Sequence, residues 1–354
     1  MKILYLYAEV MGYTMATIRE LAERGNEVHV VHWDHKKLTP YKALVVPNVF
    51  MYNRSELSVE QIKKLAKNIV PRVTVVSGWM DRGYMCVAKE LRRDGLTVVI
   101  GLDSPWHGTL TQWLTLILAR IGYFSQFYSH AWVAGLNQFE YACRLGFEKK
   151  NIVYDLYSAD LRLFNQAYND SIENKHKHYP HRFLFVGRFE PVKGLDVLLQ
   201  AWEQLGVKKG DWELHLIGNG SLKAQLDATA CLVIKDFMQP ENLMQEVANA
   251  GCFLLPSLGE PWGVVVHEFA AAGLPLIVSD VVGAASTFLI SGLSGFSFKV
   301  NDPNALAKRM HQIINMTDQE LHAMAVSSHV LSQRITPETS AGNLLSAVDL
   351  KYYG

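Results

Sequence analysis

Short apolar runs alternate with helix-length segments from one end of this 354-residue chain to the other. In the first half, strand-like runs at 2–7, 27–33, 73–77, 98–102 and 131–134 are separated by helical patterns at 14–24, 59–69, 82–93 and 110–121. The alternation restarts at 182–187 and continues through strand-like runs at 213–217, 231–234, 252–255 and 276–279. A strand that leads into a helix and then another strand builds a parallel sheet with crossover helices, so the fold class is α/β. At about 150 residues per domain the length suggests two domains. The polar, aperiodic stretch 169–181 is expected to be the linker, dividing the chain into 1–168, 182–335 and a last helix within 336–354. A solvated linker explains its histidines, His176, His178 and His181, better than metal binding, because no matched ligand cluster follows.

Composition narrows the function classes. Hydrophobic residues make up 49% and charged residues 19%, enough for large cores, and the formal net charge is zero. A nucleic-acid binder would show a basic excess. Cys86, Cys143, Cys231 and Cys252 form no Cys-x-x-Cys pair and read as small buried apolar residues in a reducing compartment. No secretory leader is expected, because Met1-Lys2 runs directly into a short strand-like run, and no segment is apolar over the roughly 20 residues that a spanning helix needs. The expected location is the cytoplasm, with the inner face of a membrane as an extension of it. The most apolar segment, 110–120, has the character to touch a bilayer surface. Its shortness favours a buried core helix instead.

Four segments carry candidate chemistry. The first, Gly187-Arg188-Phe189-Glu190-Pro191-Val192-Lys193-Gly194, lies between a strand and a helix, where loop amides and the helix N-terminus attract anions. Arg188 would add a forked donor for phosphate and Lys193 a point charge. Ile217-Gly218-Asn219-Gly220-Ser221 is a second such turn, with Gly218 and Gly220 sparing room for a phosphate or ribose. Lys223 stands where a dinucleotide fingerprint needs its third glycine, which disfavours a hydride-transfer dehydrogenase. Val233 to Met238 includes Phe237, a candidate for the edge of a base pocket that core packing would explain equally well. The fourth segment runs from Pro256 through Glu260, Gly263, Val264 and Glu268 to Pro275. It leaves a buried strand, crosses a Gly/Pro loop and enters a small-residue helix.

Glu260 and Glu268 do not suit a glycosidase pair. Retaining glycosidases hold their carboxyls about 5 to 5.5 Å apart, whereas eight helical residues span about 12 Å. Separate hydroxyl-binding roles fit better. There is no Asp-x-Asp to hold a cation, and two basic side chains can neutralise a bound anion, so no metal is expected.

The fourth segment, Glu, seven residues, Glu, with a glycine after an aromatic, resembles the signature of the retaining nucleotide-sugar glycosyltransferases of family four, the glycosyl transferases group 1. The resemblance covers about 183–314 by motif and the first half by strand-helix order alone. It implies a GT-B fold, in which two Rossmann-like domains with parallel sheets face each other across a cleft. The first domain would hold the acceptor and the second the nucleotide-sugar, and the last helix would cross back to the first. It implies that Arg188 and Lys193 hold the donor diphosphate, that Glu260 meets the transferred sugar, and that Glu268 takes the ribose hydroxyls. Gly187, Gly218, Gly220, Phe237, Gly263 and Val264 would line the donor site. Relatives have a Gly-Gly loop after the first strand, where this chain has the single Gly12. They often have a histidine after the 98–102 strand, where this chain has Asp103 and, further on, His107 as candidate sugar or acceptor contacts. Many have a glutamate where this chain has Ser286.

The implied activity is transfer of a sugar from a nucleoside diphosphate to the hydroxyl of a glycan, lipid-linked glycan or small molecule. No cofactor is implied beyond that co-substrate, no nucleic acid is expected as partner, and peripheral membrane contact is a further expectation. A nucleotide-sugar epimerase, a phosphorylase and a non-catalytic nucleotide-binding module remain as alternatives.

Overall fold

Two parallel sheets organise the chain, one in each of two units. The computed structural model describes residues 1–34, 40–227, 229 and 232–349. One unit comprises Met1–Ser158 with the end of the chain from Ile335, and the other comprises Ala159–Arg334. The first unit contains β1 (Lys2–Tyr7), β2 (Glu27–His32), β3 (Val49–Asn53), β4 (Val73–Val76), β5 (Thr97–Leu102), β6 (His130–Val133) and β7 (Ile152–Val153). Their order across the sheet is β3-β2-β1-β4-β5-β6-β7, all parallel. The helices between them are α1 (Gly12–Glu23), α2 (Val59–Ile69), α3 (Arg82–Arg93), α4 (Leu110–Arg120) and α5 (Leu136–Arg144). Strands β4 and β5 are buried on both faces, as a sheet covered by helices on each side requires.

Local chemistry fixes the helix starts. A Ser58–Gln61 capping box opens α2. Asp81 caps α3 by accepting from the Gly83 and Tyr84 amides at 2.8 and 3.1 Å. The same carboxylate accepts from Trp33 and Arg54, which hold its pKa below the usual value against the opposing effect of burial.

The second unit opens with α6 (Leu161–Lys177) and then has β8 (Arg182–Val186), α7 (Leu195–Leu205), β9 (Glu213–Ile217), α8 (Lys223–Asp227) and β10 (Val233–Lys235). It continues with α9 (Pro240–Ala248), β11 (Cys252–Leu255), α10 (Val264–Ala271), β12 (Leu276–Ser279), α11 (Ala285–Phe288), β13 (Gly295–Phe298), α12 (Pro303–Ile314) and α13 (Asp318–Ser332). The sheet order is β10-β9-β8-β11-β12-β13, again all parallel. The chain then returns to the first unit with α14 (Pro337–Asp349), which packs on α1. Thr17 Oγ1 donates to Ser340 Oγ at 3.3 Å, Arg24 donates to the Glu338 carbonyl at 2.9 Å, and Asn343 donates to Asp155 at 2.9 Å.

Several expectations need correction. Residues 169–177 of the expected linker are the second half of α6, and the border between units falls at Ser158–Ala159 rather than after 168. The buried stripe of α6 is Leu161, Phe164, Ala167, Ser171 and Lys175. Its second half is formed by a serine and a lysine, so apolar periodicity fades although helical spacing does not. Strand β3 was not anticipated because its residues are half-exposed or exposed, and β7 because it has only two residues. Cys86 is exposed and Cys143 half-buried, so of the cysteines described only Cys252 is the buried apolar residue expected. Cys231 lies outside the described residues.

Lys175 is 2% exposed and its Nζ has no hydrogen-bond partner among the described residues. Burial pushes its ammonium pKa down to about 7. Between that value and the ordinary lysine value the unfolded chain binds more protons, so this site makes stability rise with pH across that window. Lys175→Met should therefore raise the melting temperature by about 2 °C or more near neutral pH. Melting curves as a function of pH should show the gain shrinking toward the ordinary lysine pKa. A loss of stability at every pH would mean that Lys175 has a partner.

Candidate active site

In the second unit the strand order changes direction between β8 and β11. Strands β9 and β10 extend to one side of that pair, and β12 and β13 to the other. Beyond the carboxyl ends of such a pair the two following loops splay apart, and open parallel sheets bind ligands there. The loop after β8 carries Gly187 to Gly194, and the loop after β11 carries Pro256 to Gly263. Both candidate motifs therefore meet at this point.

A backbone clasp ties the two loops together. The Leu258 amide donates to the Val192 carbonyl at 2.8 Å. Gly194 has φ +66°, and a Cβ there would sit 2.1 Å from the Pro256 carbonyl oxygen, so no larger residue allows this approach. The clasp brings Lys193 against Glu260, where Nζ and Oε2 form an ion pair with each side chain only 15% exposed. Ser257 Oγ donates to the same carboxylate oxygen at 3.4 Å, and the Ser257 carbonyl accepts from Ser279 Oγ at 2.6 Å. The Glu260 backbone pairs with Val282 as a parallel bridge, and its carbonyl accepts from the Gly283 amide at 3.2 Å. Glu260 is thus held by backbone, serine and lysine together.

Arg188 is half-buried and has no ion-pair partner among the described residues. Glu190, two positions on, is engaged elsewhere. It accepts from Ser221 Oγ at 2.7 Å and from the Ser221 amide at 3.1 Å, and these bonds hold its pKa below the usual value. The arrangement leaves the Arg188 guanidinium available for an anion.

Gly218 and Gly220 have a structural reason that spacing alone did not reveal. A Cβ on Gly218 would lie 1.9 Å from the Gly187 carbonyl oxygen, and one on Gly220 would lie 2.6 Å from that of Phe189. The Gly187 amide donates to Ile217 at 3.1 Å, and that of Phe189 donates to Asn219 at 2.8 Å. The two glycines let one loop lie directly on the other, and any ligand contact comes in addition to that. Phe237 follows β10 at the sheet edge and is half-buried. It makes no ring stacking with another aromatic among the described residues.

Gly263 caps α10 with φ +89°, and a Cβ on it would meet Glu260 Cγ at 2.9 Å. Val264 is the first residue of the helix, whose opening amides have no partner within it. Glu268 lies in the second turn, half-buried, and its carboxylate has no partner among the described residues. Burial first, and the Asp160 carboxylate second, push its pKa up to about 7. Glu260 and Glu268 therefore sit in different surroundings: one is bound to a lysine, the other lies beside an acid.

Two residues that hold this region were not singled out in the sequence. His267 is fully buried and stacks on Phe288 at 4.1 Å. Its Nδ1 accepts from the Ala159 amide at 3.0 Å and its Nε2 donates to the Ser332 carbonyl at 2.9 Å, which fixes one neutral tautomer. Burial lowers its pKa to about 4. Asp160, at the start of α6, became relevant only through its place beside Glu268. No motif marks either residue, since both partnerships join distant parts of the chain.

Asp103 and His107 belong to the first unit. Asp103 follows β5, is exposed, and accepts from Tyr157 at 3.3 Å. Tyr157 packs edge-on against Tyr13 at 5.0 Å, and burial raises its pKa well above the usual value. His107 is exposed, and its main-chain amide donates to Gln112 at 2.8 Å. The two residues are four positions apart, and the bonds that each makes do not join them.

Residues 169–327 match the family model described as glycosyl transferases group 1. An uncharacterized glycosyltransferase of Methanocaldococcus jannaschii is 24% identical over 88% of this chain and 87% of its own length. The amylovoran biosynthesis glycosyltransferase AmsK of Erwinia amylovora is 32% identical, over 41% of this chain and 37% of its own. Among solved structures, HepE of Anabaena in complex with UDP superposes with a TM-score of 0.73 at 15% identity, over 99% of this chain and 100% of that one. Sucrose-phosphate synthase of Thermosynechococcus elongatus gives 0.72 at 18% identity over the whole of both chains. The chain therefore has the GT-B fold, with two Rossmann-like units, and the glycosyl transferases group 1 model matches most of its second unit.

Proposed function

We propose that this protein is a retaining glycosyltransferase that moves a sugar from a nucleoside diphosphate to an acceptor hydroxyl, with no resident metal or cofactor. The observation that carries this reading is the Lys193–Glu260 pair beside the unpaired Arg188, at the switch point of the second sheet. Arg188 and Lys193 take the diphosphate, whose growing charge as it leaves is the main electrostatic load of the reaction. Glu260 accepts from hydroxyls of the transferred sugar, and Glu268 from those of the ribose. Gly187, Gly218, Gly220, Gly263 and Val264 offer backbone beside the donor, and Phe237 lies toward the base. The bond between the anomeric carbon and the leaving phosphate oxygen breaks, the acceptor oxygen bonds to that carbon on the same face, and the acceptor proton passes to the leaving phosphate. The Anabaena neighbour with UDP supports a uridine diphosphate donor, and the amylovoran relative supports a glycan acceptor. Asp103 or His107 is proposed to meet the sugar or acceptor from the first unit.

A panel of nucleotide-sugars incubated with the protein tests the reaction class. Transfer yields free nucleoside diphosphate and a glycosylated acceptor. An altered sugar still attached to its nucleotide would mean epimerisation instead.

Arg188→Ala should lower turnover by about 10²-fold or more with little change in melting temperature. Lys193→Ala should lower both, because it leaves the Glu260 carboxylate in place without its cation. Adding Glu260→Gln to Lys193→Ala should recover stability without recovering turnover. Wild-type rates in the Arg188 and Lys193 variants would remove the diphosphate clamp.

The two acids should separate in calorimetry. Glu268→Gln should weaken bare nucleoside diphosphate and donor alike, by roughly ten- to a hundredfold, and Glu260→Gln should spare the bare nucleotide. With a Glu268 pKa near 7, the carboxylate that accepts from ribose forms as pH rises through that value. Wild-type nucleotide affinity should therefore increase across it and level off above, and the Glu268→Gln profile should lack this step. Reversed roles for the two variants would overturn the assignment.

Activity should survive exhaustive chelation, since two basic side chains carry the neutralisation. Loss of activity that manganese or magnesium restores would place a metal in the reaction.

A further inference from the structure

Helix α4 is inside out. Its apolar residues Leu110, Trp113, Leu114, Ile117 and Leu118, with Ile121 just beyond its end, recur at the spacing of a helical stripe. Such a stripe ordinarily faces a core. Here all six residues are exposed, by 43 to 83%. The opposite side faces the protein and carries Leu116, Ala119, Thr115 and Gln112. Gln112 donates to the Pro105 carbonyl at 2.9 Å and accepts from the His107 amide at 2.8 Å. The buried core helix expected from length alone is therefore not what forms.

Charge around the stripe is mostly positive. From residue 104 to residue 139 there is no aspartate or glutamate, and the single Lys or Arg is Arg120, exposed at the end of the helix. The turn Phe124–Gln126 packs on both α4 and α3. On α3, Lys89 lies 5.6 Å from the Phe127 ring, and Lys89 and Arg93 are exposed without ion-pair partners among the described residues. Glu90, on the same helix, is already paired with Lys63 and Lys67. Trp106, in edge contact with Trp113 at 5.3 Å, carries the Arg144 guanidinium 4.9 Å above its ring, and Arg144 is paired with Glu140.

We infer that α4 docks the first unit on the surface of a bilayer rich in anionic lipid. Its 11 residues span about 16 Å, half of a hydrocarbon core of about 30 Å, so it lies in the interface and does not cross it. The unpaired cations beside it suit phosphate headgroups. A second copy of the chain fits less well: a stable dimer buries about 20 to 30 residues a side, and this stripe offers six. The inference is independent of the transferase reading, because none of these residues belongs to the donor site.

Co-sedimentation of the full chain tests it, with vesicles of phosphatidylcholine alone and with one third phosphatidylglycerol. The wild type should sediment with the anionic vesicles and be released by salt. Leu114→Glu/Ile117→Glu should weaken that binding roughly tenfold or more, while melting temperature and nucleotide affinity stay unchanged. Lys89→Ala/Arg120→Ala should weaken binding to anionic vesicles and keep the apolar face. Equal sedimentation of wild type and Leu114→Glu/Ile117→Glu, or none by either, overturns the inference. So does a lipid-free dimer that Leu114→Glu/Ile117→Glu converts to monomer, which would make a second copy the occupant.

Discussion

The contact between the loops after β8 and β11 governs the candidate site. Two adjacent parallel strands whose successors leave in opposite directions would open a gap, and here the Val192–Leu258 backbone bond closes its floor. Gly194 is the condition for that bond, since any side chain would collide with Pro256. Once the loops are joined, Lys193 and Glu260 come into contact and neutralise each other in a place that admits little water. Arg188 makes no ion pair among the described residues, although its charge reaches the Glu190 carboxylate. A site with one paired and one unpaired cation has a natural order of events. In the proposed reaction an arriving diphosphate would meet Arg188 first and would draw Lys193 away from Glu260, freeing that carboxylate for a hydroxyl.

Glu268 has a different physical character although it shares the motif. It is raised by burial and by Asp160 rather than stabilised by a cation, so it gains from any hydroxyl donors that reach it. Its helix is anchored by His267, whose two ring nitrogens bond to Ala159 and Ser332 at opposite ends of the unit's sequence. Adjacent residues on α10 thus have separate surroundings, one tying the unit together and the other lying near the Asp160 carboxylate. Their alternation follows from helical geometry, which turns neighbouring side chains by about 100°.

Where the sequence reading erred, one cause recurs. The stripe of α4 and the stripe of α6 each invert the usual relation between polarity and burial. In α6 a serine and a lysine occupy buried positions, so a genuine helix read as a linker. In α4 leucines, isoleucines and a tryptophan occupy exposed positions, so a surface helix read as core. Periodicity reports which residues share a face, and only packing reports which way the face points. The glycines of 217–221 make a similar point. Their spacing marked them as special, but the close approach of the Gly187 and Phe189 backbones, rather than a ligand alone, is what excludes a side chain.

The sequence by itself determined the α/β class, the parallel sheets, the family motif and the identity of the charged residues Arg188, Lys193, Glu260 and Glu268. These depend on local periodicity and on short spacings along one strand-loop-helix unit, and such information is written into neighbouring residues. Tertiary structure decided that Lys193 pairs with Glu260 across 67 positions, that His267 bridges Ala159 and Ser332, and that α14 belongs to the first unit. It also decided that α4 turns its apolar face outward. Each of these follows from the order in which strands add to a sheet and from which surfaces remain to be covered, and neither is encoded in any one segment.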